Sequence, residues 1–284
     1  MSLPLGFSEH PAGLLRVGRG YTLAGQPTNA SPGFKGKKND GAAALAARAP
    51  VLARLQEQLF AESRFGGTKS VLLVLQAMDT AGKGGIVGRV VGSVDPQGVK
   101  LKTFKAPTDE EKAHDFLWRV RPAAPGPGML GVFDRSHYED VLIHRVHGWA
   151  DAAELDRRYA AINDFEAELA AAGTTVVKVM LNLGQDEQLE RLSARLHDPT
   201  KYWKYSPTDL DERAFWPDYM DAYQKVFERT STPNAPWYVV PADKKWYARL
   251  AVQEILIETL GTLNLQWPAG DFDVAHERAR LKDA

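Results

Sequence analysis

The sequence predicts an α/β fold, a central five-stranded parallel sheet between two layers of helices, and three observations predict it. Five short β-rich apolar runs alternate with segments of helical periodicity, the pattern of parallel strands joined by crossover helices. The first run passes directly into a Gly-rich turn and a second helical pattern, "LVLQAMDTAGKGGIVGRVV". The chain has 284 residues, 44% hydrophobic and 25% charged, which suits one large core rather than several small ones.

Taken in order, residues 1–45 begin with a stretch rich in Gly, Pro and Lys and predict an irregular N-terminal arm laid over the core, residues 46–284 forming the domain itself. The Ala-rich segment 42–62 predicts a helix leading into the first strand. The strands are "SVLLVLQAM" from 70, "VKLKTF" from 99, "MLGVFD" from 129, "TVVKVMLN" from 175 and "PWYVVPA" from 236. Between the third and fourth, "DAAELDRRYAAINDFEAELAAAG" has an Asp N-cap at 151 and a Gly C-cap at 173. The helical series Trp216, Tyr219, Tyr223 and Phe227 reads as core. No internal repeat or low-complexity tract is present.

Several function classes lose support at once. The chain contains no Cys, so disulfides and thiol chemistry are excluded, in keeping with a reducing compartment. No apolar run approaches the roughly 20 residues of a membrane helix. The N-terminal "MSLPLGFSEHPAG" lacks the charged and apolar regions of a signal peptide, so the cytoplasm is expected, with no membrane partner. Net charge is −1, so a polyanion would have to be met by local clusters of Lys and Arg; nucleic acid is not expected. His144 and His147 lie one turn apart in "HRVH" with no third ligand indicated, which makes a zinc site improbable. Ser136 is not in a nucleophile elbow. Arg119 and Arg121 in "LWRVRP" read equally as site residues or as surface charges.

In parallel α/β folds ligands bind beyond the carboxyl ends of the strands, and the remaining motifs fall there. The turn "AMDTAGKG" departs from the common phosphate-loop pattern GxxxxGK[ST], with Ala77 for the first Gly and Gly84 for the metal-binding hydroxyl. Its amides around Gly82, Gly84 and Gly85 and the helix start would face a phosphate, and Lys83 would supply a mobile charge. Asp134 follows the apolar end of the third strand, where P-loop enzymes place a carboxylate near Mg²⁺, before a helical pattern from about Ser136. With no hydroxyl at 84, Asp79 and Asp134 could hold the ion between them. The plainer readings are a turn residue for Asp79 and a helix N-cap for Asp134. After the fourth strand, Arg191 and Arg195 lie one helical turn apart, followed by Lys201 and Lys204 around Trp203. These four cations fit a helical lid at about 186–212 that closes over a long anion; a solvated basic face is the alternative.

The segments "LQAMDTAGKGG", "DPQGVKLKTFKAPTDEEKAHDFLWR", "GVFDRSHYEDVLIHRVH", "RLHDPTKYWKYSPTDLDER" and "AYQKVFERTSTPNAPWYVVPADKKWYARL" together resemble the polyphosphate kinase 2 family, in order from about residue 55 to 255. The resemblance implies a P-loop kinase-like three-layer α/β/α fold and phosphoryl transfer from inorganic polyphosphate to a nucleotide. It implies that Asp79 and Lys83 are the Walker A residues, that Asp134 and Arg135 are the Walker B pair, and that Arg191, Arg195, Lys201 and Lys204 belong to the lid and bind polyphosphate. Glu139 in "RSHYEDV" stands where members restricted to diphosphates tend to carry Asn, so use of both mono- and diphosphates is implied. Glu139, Arg145, Lys105 and Asp115 are the expected nucleotide contacts. Asp79, Asp134 and Glu139 are the expected ligands of Mg²⁺, with Mn²⁺ as a substitute. Nucleoside mono-, di- and triphosphates are the expected small-molecule partners, and a homo-oligomer, dimer or tetramer, is the expected assembly. Two other readings stay open: an ATP-dependent nucleoside monophosphate kinase on the same fold, and a non-catalytic nucleotide-binding module.

Overall fold

In the computed structural model, which describes residues 3–282 and 284, the five apolar runs form strands β1 (Ser70–Gln76), β2 (Val99–Thr103), β3 (Leu130–Asp134), β4 (Thr174–Asn182) and β5 (Trp237–Pro241). They pair in the order β2-β3-β1-β4-β5, all in parallel. β1, β4 and β5 are buried along their whole length apart from Thr175 of β4, as strands covered on both faces must be. Their side chains alternate. Val71, Leu73 and Leu75 pack into one apolar cluster and Leu72 and Val74 into the other, the period of two dividing one run between two layers.

The helices are α1 (Pro11–Leu15), α2 (Lys38–Ser63), α3 (Lys83–Arg89), α4 (Asp109–Lys112), α5 (Glu139–Val146), α6 (Ala152–Ala171), α7 (Gln185–Leu196), α8 (Pro207–Glu212), α9 (Trp216–Thr230), α10 (Lys245–Thr262) and α11 (Val274–Arg280). The first cluster takes in side chains of α2, α3 and α10, and the second those of α5, α6 and α9, which makes the three-layer sandwich. α10 is buried almost all round, because α2 covers the side that faces away from the sheet. Gly41 permits that approach, since a Cβ there would lie 2.2 Å from the Trp246 ring. The Arg48 guanidinium donates to both oxygens of the buried Glu254 at 2.8 Å.

The starts of two helices differ from the sequence reading. α2 begins at Lys38 rather than 42, because the Lys37 amide donates to the Asp40 carboxylate at 2.8 Å and caps the first turn. The last residues of the predicted arm are therefore helical, and the arm's first two residues lie outside the described part. The helix expected from about Ser136 begins at Glu139. The Ser136 hydroxyl accepts from the Tyr138 amide at 3.1 Å, which turns the chain before the helix can start. α6 begins at its Asp151 cap and ends before Gly173, at φ +93°, as its sequence predicts.

Candidate active site

The loop after β1 and the turn after β3 lie side by side, because β1 and β3 are neighbours with Leu75 opposite Asp134. Both depart from ordinary backbone. Thr80 has φ +65° and Arg135 φ +61°, and only one other non-glycine residue, Asn264, has a positive φ among the described residues. Left-handed non-glycine residues cost about 1–3 kcal/mol and persist only where their surroundings impose them. At the end of the loop Gly82 takes φ +118° and caps α3, a conformation open to glycine alone without strain.

Beyond the strand ends is a cleft of about 800 Å³, near the upper end for ligand pockets. Its walls include Asp79, Gly82, Lys83, Gly84 and Gly85 from the loop after β1, and Asp134 and Arg135 from the end of β3. Arg191, Arg195, Lys201 and Lys204, predicted from the segment after β4, close another side, and Lys105 closes a third. Glu139, Arg145 and Asp115 do not line it. Arg145 donates to Asp221 at 3.1 Å, and Asp115 caps a turn at the Leu117 amide while accepting from Arg157.

The Arg135 guanidinium donates to the Asp79 carboxylate at 2.9 Å. Burial disfavours its charge, but Glu139, Asp79 and Asp134 outweigh that and raise its pKa above the ordinary value. The neighbouring Glu139 carboxyl is raised by burial, with Arg135 and Lys83 acting against the rise. The Lys83 ammonium folds back onto the Ala77 carbonyl at 3.1 Å. Asp79 and Asp134 both line the cleft, but the three carboxylates expected around a metal do not converge. Among the described residues no three His, Asp or Glu side chains form such a cage.

Arg191 differs most from its sequence reading. It is 6% exposed, and its donors meet protein acceptors rather than the cleft. Arg195 donates to the Lys204 carbonyl at 2.7 Å and to Asp209 at 3.2 Å, and Lys201 pairs with Asp198 at 2.6 Å.

Two cations were missed. Lys245 and Arg249, one turn apart at the start of α10, also line the cleft. Partial burial lowers the pKa of both, and so do the cations around them, Arg191, Arg249 and Lys201 for Lys245, Arg89 and Arg191 for Arg249. Their i, i+4 spacing just past the last strand, in "DKKWYARL", was the available signal. Among the described residues Lys83, Lys105, Lys204, Lys245 and Arg249 form no ion pair, so the cleft carries positive charge that the protein itself does not neutralise.

A parallel sheet with a phosphate loop, a carboxylate at the neighbouring strand end and an uncompensated basic cleft defines a phosphotransferase of the P-loop kinase class. The model of one family, polyphosphate kinase 2, matches residues 35–267. The chain belongs to that family. It is 45% identical over 235 residues to an AMP/ADP-polyphosphate phosphotransferase of Meiothermus ruber, covering 83% of this chain and 86% of that one. It is 41% identical over 267 residues to an ADP-polyphosphate phosphotransferase of Rhodopseudomonas palustris, covering 89% and 91%. The crystal structure of a polyphosphate kinase 2 from Arthrobacter aurescens superposes with a TM-score of 0.96 at 65% identity, covering 98% of each chain. No helix among the described residues is long and apolar enough to cross a membrane.

Proposed function

We propose that the protein moves a phosphoryl group from inorganic polyphosphate to both nucleoside mono- and diphosphates, AMP to ADP and ADP to ATP, with guanine nucleotides as further acceptors. The observation that carries this reading is the set of cations without carboxylate partners, Lys204, Lys245 and Arg249, that line the same cleft as the Lys83 loop. A chain of phosphates carries about one negative charge per unit and can meet all of these cations at once. A single compact triphosphate would leave some of them unmatched.

The attacking oxygen needs no strong base. A nucleotide's terminal phosphate has a second pKa near ~6, so at neutral pH it is largely deprotonated. What the chain's residues supply is alignment and charge neutralisation. Lys83 releases the Ala77 carbonyl for a phosphate oxygen, and Arg135 reaches the transferred group from the other side. Asp79 and Asp134 fit Mg²⁺ or Mn²⁺: both are hard oxygen donors on one wall of the cleft, and such ions take one or two carboxylates plus substrate phosphates rather than a complete protein cage. When bound, the ion would neutralise phosphate charge as a Lewis acid.

Glu139 is the proposed source of dual acceptor use. A monophosphate is one phosphoryl unit shorter, and a carboxylate beside Arg135 can hold a second cation or a water that fills the gap, where an amide binds cations weakly. Arg145 and Asp115 do not line the cleft, so they would meet the nucleotide only beyond its walls. A cytoplasmic location and a homo-oligomeric state belong to the same reading, the latter measurable by sedimentation.

Incubation with AMP or ADP, polyphosphate and Mg²⁺ should yield ADP and ATP. Turnover with ATP but not polyphosphate as donor would favour the ATP-dependent nucleoside monophosphate kinase, and binding without turnover the non-catalytic module.

A further inference from the structure

The guanidinium of Arg191 has five N–H donors, and five acceptors meet them. Nε donates to the Glu187 carboxylate at 2.7 Å. Nη1 donates to the carbonyls of Thr80 and Ala81 at 3.0 Å each. Nη2 donates to the carbonyls of Ala242 and Asp243 at 2.8 Å each. Three residues earlier on α7, the buried Gln188 donates to the Asp79 carbonyl at 3.2 Å. One face of α7 thus holds three consecutive carbonyls of the phosphate loop, those of Asp79, Thr80 and Ala81, between the two side chains on which transfer depends, Asp79 and Lys83.

A trans peptide points its N–H opposite to its C=O. Drawing the Thr80 and Ala81 carbonyls onto Arg191 therefore turns the next amides away from the guanidinium, the arrangement in which successive amides cradle an anion. It also accounts for the left-handed φ of +65° at Thr80, which the loop alone would not choose.

The clamp is anchored in turn. The Asp243 carboxylate accepts from the Gly184 amide at 2.7 Å and from the Thr28 hydroxyl at 2.6 Å, and the Asp243 amide donates to the Thr28 carbonyl at 3.1 Å. Gly184 is the N-cap of α7. The N-terminal arm, the end of β5, the start of α7 and the phosphate loop are therefore tied together through Arg191 and Asp243.

We propose that Arg191 is a positioning residue for phosphoryl transfer, setting the loop that carries Asp79 and Lys83, and that it does not bind the donor chain. A phosphate contact would need a donor taken from a carbonyl, leaving that buried group unsatisfied. The inference rests on the phosphotransferase reading of the site. Lys cannot replace Arg here, because one ammonium with three donors cannot span acceptors on two loops.

The test is Arg191→Lys, assayed at saturating nucleotide and Mg²⁺ with polyphosphate varied over a range of NaCl concentrations. Misplacing the loop should lower kcat by ~100-fold. The KM for polyphosphate and its salt dependence should stay within about twofold, since the charge remains. A raised KM with weakened salt dependence and preserved kcat would make Arg191 a donor ligand and overturn the proposal. A lowered Tm with unchanged kcat would overturn it too, leaving a purely structural role. Asp243→Asn keeps the guanidinium but weakens its anchor, and should show the same signature at ~10-fold in kcat. That variant decides the matter if Arg191→Lys does not fold, unchanged kcat counting against the clamp. Turnover by the unsubstituted protein is the separate check on the phosphotransferase reading, and its absence would overturn both.

Discussion

In the middle of β4 the Lys178 ammonium is enclosed by the Glu166 carboxylate at 2.6 Å, the Thr230 carbonyl at 2.7 Å and the Tyr138 hydroxyl at 3.0 Å, whereas past the ends of the same strands Lys83, Lys105, Lys245 and Arg249 have no carboxylate partner among the described residues. Both regions gather positive charge, one inside the core and the other around the cleft. In the first, burial would raise the Glu166 carboxyl, but Lys178 and the neighbouring His137 outweigh it and hold it below its usual value. The charge is balanced within the protein. In the second it is left open, and like cations crowd one another. Charge that a fold leaves unbalanced at the mouth of a P-loop cleft is charge kept for a ligand. Charge balanced in the core is there for the fold.

The comparison breaks most sharply at Asp79. In the cleft, Asp79→Ala should reduce turnover on the order of 10³-fold at any Mg²⁺ concentration with little change in Tm. A folded variant with near-normal turnover would make Asp79 only a turn residue. The core pair should answer in stability instead. Glu166→Gln leaves Lys178 buried without a counter-charge, a loss of about 3–5 kcal/mol by urea unfolding. The double variant Lys178→Met, Glu166→Leu should recover much of it, because an apolar pair needs no desolvation of charge. If both variants lost the same stability, the pair would not be the balanced unit described here.

Glu139, beside Arg135 but outside the cleft walls, sharpens the comparison further. Glu139→Asn should depress turnover with AMP by ~100-fold and with ADP far less. Equal losses would place Glu139 with the shared chemistry rather than with acceptor choice. Smaller effects are expected from single cations of the cleft. Lys245→Gln and Arg249→Gln should each raise KM for polyphosphate by about 3–10-fold and weaken its salt dependence, with nucleotide KM unchanged. Unchanged polyphosphate KM in both would return them to the surface.

The smallest effect concerns Asp140, on α5. Its carboxyl is raised by burial from 3.8 to about 6, with Arg119, 3.8 Å away, acting against the rise. The native state therefore holds the proton more tightly than the unfolded chain. Stability should fall as pH rises from about 4 to about 6 and remain lower above that. Asp140→Asn should raise Tm at pH 7.5, with the gain vanishing near pH 4. A gain independent of pH would refute this assignment.

The strand runs, the Asp151 cap and the loop around Lys83 were legible because they are local. Alternation, capping and a Gly-rich turn after an apolar run need only a few neighbouring residues to declare themselves. The same locality let Asp79, Lys83 and Asp134 be placed together, since parallel strands deliver all their ends to one side, while Arg135 was added by the family resemblance. What only the tertiary structure decided was the use of each cation. Arg191 and Arg195 look alike in sequence, four residues apart on one helix, yet Arg191 meets carbonyls from two loops distant in the chain and Arg195 faces the cleft beside Lys204. Lys245 and Arg249 join the cleft because β5 lies at one edge of the sheet and the chain turns there into α10. A guanidinium's role is set by which acceptors surround it, and those are brought together by the order in which the strands pair, which no short stretch of the sequence carries.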